Sequence, residues 1–373
     1  MRRLNLQYPR RTFIRGAFKF MGRAIGSLLA RPIINGLENL PSKGPLILVG
    51  NHVAVIEAGM MATYVPYPIE LMAAGDIPLD PRYAWMADLY GIIPIKRGSM
   101  DREGMDMALE ILHQGGVLGL FPEGGIWETN LKQARQGVAW LSNKAQAPVV
   151  PIGFGGIEGA VSAITKLRRP RLVMNIGRMI PPVSLDIPGK SRKQAMMDAA
   201  NHIMEQVKAL LPEEERRLRQ PKIMDESFDF RMIAQDAHGA EVALLSEAMI
   251  ADRWGLGKFF HRPVMLDVFT RNLRLPVQPL NDLAQPQRFD AIADSVQAIL
   301  NYLEGNPYFL AYRFGNEEGG AMERGLVQLR DAMRALEARY PGGSILLHPM
   351  RRYTLIATKQ QILEDRPGSI QEI

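Results

Sequence analysis

Apolar positions in this chain fall into two rhythms. Short unbroken apolar runs, bounded by glycine or proline, occupy 46–50 (LILVG), 69–73, 92–96, 116–121, 148–154 and 172–177. Runs of that length predict strands covered on both faces, as in a parallel sheet. Between them, apolar residues recur at the three- and four-residue spacing of helices, over 55–65, 82–90, 101–114, 133–146 and 190–211. Strands alternating with helices predict an α/β layer, a largely parallel sheet flanked by helices. A polar, charged stretch at 212–230 (beginning PEEERRLRQPK) reads as a linker. Beyond it the pattern predicts a smaller α+β domain: helices near 240–252, 286–304 and 320–339, and strands at 263–270, 307–314, 344–348 and 352–358.

The N-terminal stretch has its own pattern. Ile14, Phe18, Met21, Ile25 and Leu28 form an apolar stripe at helical spacing, and Arg11, Arg15, Lys19 and Arg23 recur every fourth residue beside it. Basic and apolar faces together suit either a helix in the boundary of an anionic membrane or one packed on its own domain with a solvated basic edge. The expected organisation is a basic amphipathic membrane-surface helix at 1–34, an α/β domain at 35–220 and an accessory α+β domain at 221–373.

Charge sharpens this. The net charge is +6 over 373 residues, but residues 1–220 carry a balance of +9 and residues 221–373 one of −3. Residues 1–31 hold eight basic side chains and no acidic one. Neither a zinc-finger spacing nor an aromatic RNA-binding box accompanies the positive charge, so no nucleic-acid partner is expected. Cysteine is absent, which excludes disulfides, thiol nucleophiles and Cys-ligated metals. The six histidines form no metal-ligand spacing, and no metal or cofactor is expected. No apolar run approaches the ~20 residues needed to span a bilayer. The start is basic, but the following stretch is cut by Arg15, Lys19 and Arg23, so no signal-peptide core forms. The expected location is cytoplasmic, peripheral on the membrane's cytoplasmic face.

Candidate chemistry gathers at the predicted carboxyl ends of strands, where open α/β sheets bind ligands. His52 follows the strand at 46–50. Glu57 falls five residues later, so the two can meet only if His52 lies in the loop and Glu57 in the first turn of the next helix. A carboxylate holding one imidazole nitrogen leaves the other to take a proton from a hydroxyl. Arg97 closes GIIPIKR at 91–97, where a guanidinium can grip a phosphate. Glu123 and Gly124 lie in FPEG at 121–124, and Pro151 interrupts the run at 148–154. Taken singly, each also reads as an ordinary capping, surface or turn residue. The nucleophile-elbow, zincin, P-loop and dinucleotide patterns are all missing.

Together, in order and spacing, these segments resemble the glycerolipid acyltransferase family typified by 1-acylglycerol-3-phosphate acyltransferase, over roughly residues 35–185. The family's N-H-x4-D block reads Asn51-His52 to Glu57, G-x-I-x-I-x-R reads Gly91 to Arg97, F-P-E-G reads Phe121 to Gly124, and V-P-I reads Val150 to Ile152. The resemblance implies transfer of an acyl group from acyl-CoA or acyl-carrier protein, as co-substrate, to a hydroxyl of a lysophospholipid, 1-acylglycerol-3-phosphate above all. By the same resemblance His52 is the general base and Glu57 its partner. Arg97 binds the acceptor phosphate, Glu123 and Gly124 help hold the acceptor, and Pro151 shapes the site. Lys132 and Arg135 are candidates for the anionic groups of donor or acceptor. Two departures stand out: Glu57 replaces the family's aspartate, and Gly125-Ile126 stands where Thr-Arg commonly follows FPEG. They keep open an acceptor without phosphate, or a lipid-binding relic without catalysis.

Overall fold

The computed structural model describes residues 6–52, 54–97, 101–123, 135–215, 223–243, 250–261, 263–283, 285–355, 361–366 and 369–372. The chain divides into two compact units, 1–220 and 221–373.

The first unit is an α/β layer. Its elements are α1 (Thr12–Leu29), β1 (Arg31–Asn35), β2 (Leu46–Gly50), α2 (Ile56–Tyr64), β3 (Glu70–Ala74), α3 (Pro81–Tyr90), β4 (Ile93–Ile95), α4 (Arg102–His113), β5 (Val117–Leu120), α5 (Gly137–Ala145), β6 (Val149–Gly155), α6 (Ala160–Thr165), β7 (Arg171–Ile176) and α7 (Arg192–Ala209). Seven strands form one sheet in the order β1-β7-β6-β2-β5-β3-β4. Every neighbouring pair is parallel except β6 with β7. β2 lies between β5 and β6 with all five residues buried, which is why LILVG is apolar throughout. One core, built on Ile47, Val49, Leu118 and Ile203, covers one face; another, built on Leu48, Met61, Val150 and Phe154, covers the other.

The stretch 1–34 belongs to this unit rather than standing apart. Residues 31–35, where no strand is expected, form edge strand β1 in register with β7. α1 is a helix, packed on the domain by its basic side chains rather than with a solvated basic edge. Arg15 is buried and clasps the fully buried Glu70, with Nη1 to Oε1 at 2.5 Å and Nη2 to Oε2 at 2.7 Å. Arg10 adds a bond to the same carboxylate at 3.0 Å. Arg11 donates to the carbonyls of Asp88 and Leu89, Lys19 to that of Tyr67 and Arg23 to that of Thr63. The basic stripe therefore grips the domain, and much of the apolar stripe faces outward.

The second unit has a six-stranded antiparallel sheet: β8 (Ile223–Gln235), β9 (Glu241–Val242), β10 (Gln287–Arg288), β11 (Ser344–Leu355), β12 (Gln361–Arg366) and β13 (Ser369–Glu372). The longest helices are Phe289–Gly305 and Asn316–Arg339. Several expectations are corrected here. Of the helix expected near 240–252, residues 241–242 are strand and 244–249 lie outside the described residues; the next described helix is Arg253–Phe260. Residues 263–270 and 307–314, read as strands, hold the helices Pro263–Asp267 and Phe309–Phe314 and a π-helical turn, Val268–Asn272. A short apolar run looks the same in a buried strand and a buried helix. Part of the supposed linker is β8. The two strands expected around 350 are one, and its Pro349 falls between the segments paired by β10 and β12.

Burial alone raises the Glu70 carboxyl, but the hydrogen bonds and charges of Arg15 and Arg10 outweigh it and hold the group below its ordinary 4.5. A folded value below the unfolded one stabilises fully above the ordinary carboxylate range, and that contribution is lost as pH falls through the folded value. Glu70→Gln strands Arg15 in the interior. It is expected to cost about 3–5 kcal/mol at neutral pH and to flatten acid destabilisation. Urea denaturation across pH checks this; a loss under about 1 kcal/mol contradicts it.

Candidate active site

The site is built where β2 stops. A Cβ at Gly50 would come within 2.6 Å of the Phe154 ring and 3.2 Å of Phe121, so only glycine lets the strand end lie under those rings. Asn51, fully buried, then ties β2 to β6: its Nδ2 donates to the Phe154 carbonyl at 3.1 Å, and the Phe154 N–H donates to its Oδ1 at 2.7 Å.

His52 sits in the loop, its ring stacked on Phe121 with centroids 4.3 Å apart. Its backbone N–H donates to Glu123 Oε1 at 2.9 Å. Glu57 enters from the first turn of α2, fully buried. Both its oxygens accept the Ala54 N–H, at 2.9 and 3.1 Å, in the manner of a capping-box glutamate reaching back along the chain. Glu57 Oε1 lies 3.8 Å from His52 Nδ1, which is itself buried. The longer side chain still brings a carboxylate beside the imidazole, because it folds back onto the loop.

Glu123 is buried, and its described contact is with the backbone of His52. Pro151 is buried within β6, in register with Val49, one residue short of the β2 end. Arg135 is exposed and its N–H donates to the Pro122 carbonyl. Gly124 and Lys132 lie outside the described residues.

Arg97 follows β4, at the same sheet edge but with β5 and β3 between it and β2. Three strand spacings amount to about 14 Å. Its guanidinium is paired with Asp76, Nε to Oδ1 at 2.5 Å and Nη2 to Oδ2 at 3.2 Å. Gly75 N donates to Ile95 O, and a Cβ on Gly75 would meet Pro94 at 2.7 Å, so the close zipping of β3 to β4 delivers Asp76 to Arg97. Asp101 secures the following loop: its carboxylate accepts from Lys96 N and caps α4 at Gly104 N. The sequence reading gave no role to Asn51, Phe121, Asp76 or Asp101. Of these Asp76 left a signal, a lone carboxylate just past a strand end at the ligand-binding edge of the sheet.

The structure thus hydrogen-bonds Glu123 to the His52 backbone, sets Glu57 3.8 Å from the His52 ring and places Arg97 three strands away. A loop imidazole with one nitrogen turned to a buried carboxylate is equipped for proton transfer. Among the described residues no three His, Asp or Glu side chains gather as a metal site.

Residues 31–155 match the family described as Acyltransferase. The 1-acyl-sn-glycerol-3-phosphate acyltransferase of Bacillus subtilis is 23% identical over 191 residues, 49% of this chain and 93% of that protein. The N-acylphosphatidylethanolamine synthase of Arabidopsis thaliana is 28% identical over 161 residues, 39% of this chain and 56% of that one. A Borreliella burgdorferi 1-acyl-sn-glycerol-3-phosphate acyltransferase is 27% identical over 94 residues, 25% and 38% of the two chains. The crystal structure of a Thermotoga maritima 1-acyl-sn-glycerophosphate acyltransferase superposes with a TM-score of 0.40 at 20% identity, covering 55% of this chain and 85% of that one. Over residues 31–155, a third of the chain, the similarity is thus to acyltransferases, two of the three relatives being 1-acyl-sn-glycerol-3-phosphate acyltransferases.

Asn51→Ala removes the clamp between β2 and β6 and leaves the Phe154 backbone short of partners. It is expected to cost roughly 1–3 kcal/mol of stability. Chemical denaturation measures this, and an unchanged midpoint contradicts the clamp.

Proposed function

We propose that the enzyme transfers an acyl group from a thioester donor, acyl-CoA or acyl-carrier protein, to the free hydroxyl of a lysophospholipid, with 1-acylglycerol-3-phosphate the leading acceptor. The observation that carries this is the His52–Glu57 pair at the end of β2. Glu57 faces Nδ1, so Nε2 is the nitrogen that takes the acceptor's proton. The hydroxyl oxygen attacks the thioester carbonyl, the C–S bond breaks, and the leaving thiol takes the proton back from His52. The donor is already activated, so positioning and one base suffice, without an acyl-enzyme.

In this reading Arg97 binds the acceptor phosphate, and the headgroup lies across the ends of β5 and β3. Glu123 acts chiefly by anchoring the His52 loop. Gly124, Lys132 and Arg135 serve the acceptor or the anionic part of the donor, and Pro151 shapes the strand end behind them. No cofactor is required. One observation favours a second acceptor class, a hydroxyl lipid without phosphate: Asp76 already balances the charge of Arg97.

Membrane attachment is part of the same proposal. Among the described residues no helix is long and apolar enough to cross a membrane. Phe13, Phe20 and Leu28 on the outer face of α1 are 87%, 77% and 70% exposed, and Met21 and Ile25 join them. Such a face suits a peripheral enzyme resting on the cytoplasmic leaflet, where its acceptor resides.

His52→Ala is expected to lower kcat by about 10²–10⁴-fold with the fold intact. Turnover of acyl-CoA with lysophosphatidate measures this, and an unchanged rate removes His52 from the mechanism. Arg97→Gln is expected to raise KM for lysophosphatidate at least about tenfold, with little change in kcat or in KM for a monoacylglycerol. Equal effects on both acceptors favour the phosphate-free class.

A further inference from the structure

The turn after α6 carries an arrangement that neither the fold nor the proposed chemistry uses. Leu167 N donates to Ile164 O and Arg168 N to Ala163 O, the paired bonds of a Schellman helix end. The residue at the left-handed position of such an end is ordinarily glycine. Here it is Leu167, at φ 55°, with its side chain 74% exposed. Two residues on, Arg169 also has positive φ, at 45°. A leucine held in a disfavoured backbone conformation while pointing at solvent gains nothing from the fold, and such strain points to function.

Its surroundings are cationic. Between Glu158 and Asp186 the chain has five basic residues and no acidic one. Lys166, Arg168 and Arg171 are exposed. Arg31, also exposed, is the register partner of Arg171 in the parallel β1–β7 pair. Like charges directly opposite in a sheet repel. Among the described residues none of these four cations makes an ion pair, in contrast to Arg10, Arg15 and Arg97.

The turn is also placed to matter. β6 runs parallel to β2, and β7 returns antiparallel, so β7 and β1 begin at the edge where β2 ends in His52. Arg169 donates to the Ser27 carbonyl at 2.7 Å, tying the turn to the end of α1 beside the exposed Leu28. An apolar tip, a cationic collar and the outward apolar face of α1 are therefore continuous at the edge that carries the site.

We propose that the turn at 166–171, with Arg31, is a docking surface for an anionic lipid leaflet. Leu167 enters the interface, Lys166, Arg168, Arg171 and Arg31 meet acidic headgroups, and the contact holds the His52 edge of the sheet against the membrane. This rests on the membrane-surface reading above and deepens it: the cations that meet the leaflet come from this turn and not from α1, whose basic stripe is spent on the domain. An acidic carrier protein would also match the charge. The strained, exposed leucine and its continuity with the α1 face favour lipid.

The test uses the full chain and vesicles of phosphatidylcholine alone or mixed with phosphatidylglycerol. Removing Lys166, Arg168 and Arg171 together, each to Gln, is expected to weaken binding to the anionic vesicles by about fivefold per cation, so roughly a hundredfold, and to affect neutral vesicles little. Leu167→Gly is the sharper variant, because glycine suits the turn. It is expected to keep or raise the melting temperature while weakening binding to both vesicles about tenfold. Activity on a short-chain, micelle-free acceptor is expected to stay unchanged in both. Undiminished vesicle binding by either variant overturns the proposal, as does lost activity on the soluble acceptor. Intact vesicle binding with a raised KM for a carrier-protein donor overturns it in favour of a protein dock. If the unaltered protein binds neither vesicle, the membrane reading falls with it; if it binds and the variants bind equally, only the assignment of this turn falls.

Discussion

The backbone around His52 is held by two buried carboxylates, and the rest of the site depends on that hold. Glu123, arriving from the end of β5, accepts the His52 N–H; Glu57, arriving from α2, accepts the Ala54 N–H. Both are carboxyl groups taken out of water, and each is hydrogen-bonded to a backbone donor. The benefit is orientation. With the main chain pinned on both sides and the ring laid on Phe121, the imidazole has little freedom to turn away from the crevice. Asn51 and Gly50 extend the same restraint into β6, so the loop is continuous with the most deeply buried part of the sheet.

Ionic pairing organises the periphery in a similar way. Glu70, at the start of β3, collects Arg10 and Arg15 and thereby lays α1 across the domain with Arg15 inward. That leaves an apolar helix face outside. In the proposed membrane contact the turn after α6 adds positive charge at the edge where the site opens. At the opposite end of β3, Asp76 meets Arg97. One short strand thus links a pair that mounts the N-terminal helix to a pair that sets the candidate anion-binding cation.

Much of this was legible in the sequence wherever a single element carried the signal. LILVG had to be a doubly covered strand, and His52 and Glu57 could meet only across a strand-to-helix loop. What escaped depended on partners far away in the chain. The helical periodicity of α1 was plain, but which face turns inward is decided by Glu70, 55 residues from Arg15. Asp76 acquires meaning only once β3 and β4 are known to be neighbours. The role of Glu123 runs through a backbone N–H, which no side-chain motif records. In the second unit, runs such as 307–314 read as strands because length and apolarity alone do not separate the two states; the buried positions Phe309, Leu310, Arg313 and Phe314 have helical spacing.

The central claim is that Glu57 keeps the imidazole proton on Nδ1 and leaves Nε2 to receive the acceptor's. Nitrogen NMR of the selectively labelled histidines, with the His52 signal assigned by its loss in a His52→Gln variant, reads the tautomer directly. The account predicts a proton on Nδ1 and an unprotonated Nε2 in the resting enzyme at neutral pH. A neutral ring carrying its proton on Nε2 contradicts it, because the nitrogen assigned as the base would already be occupied.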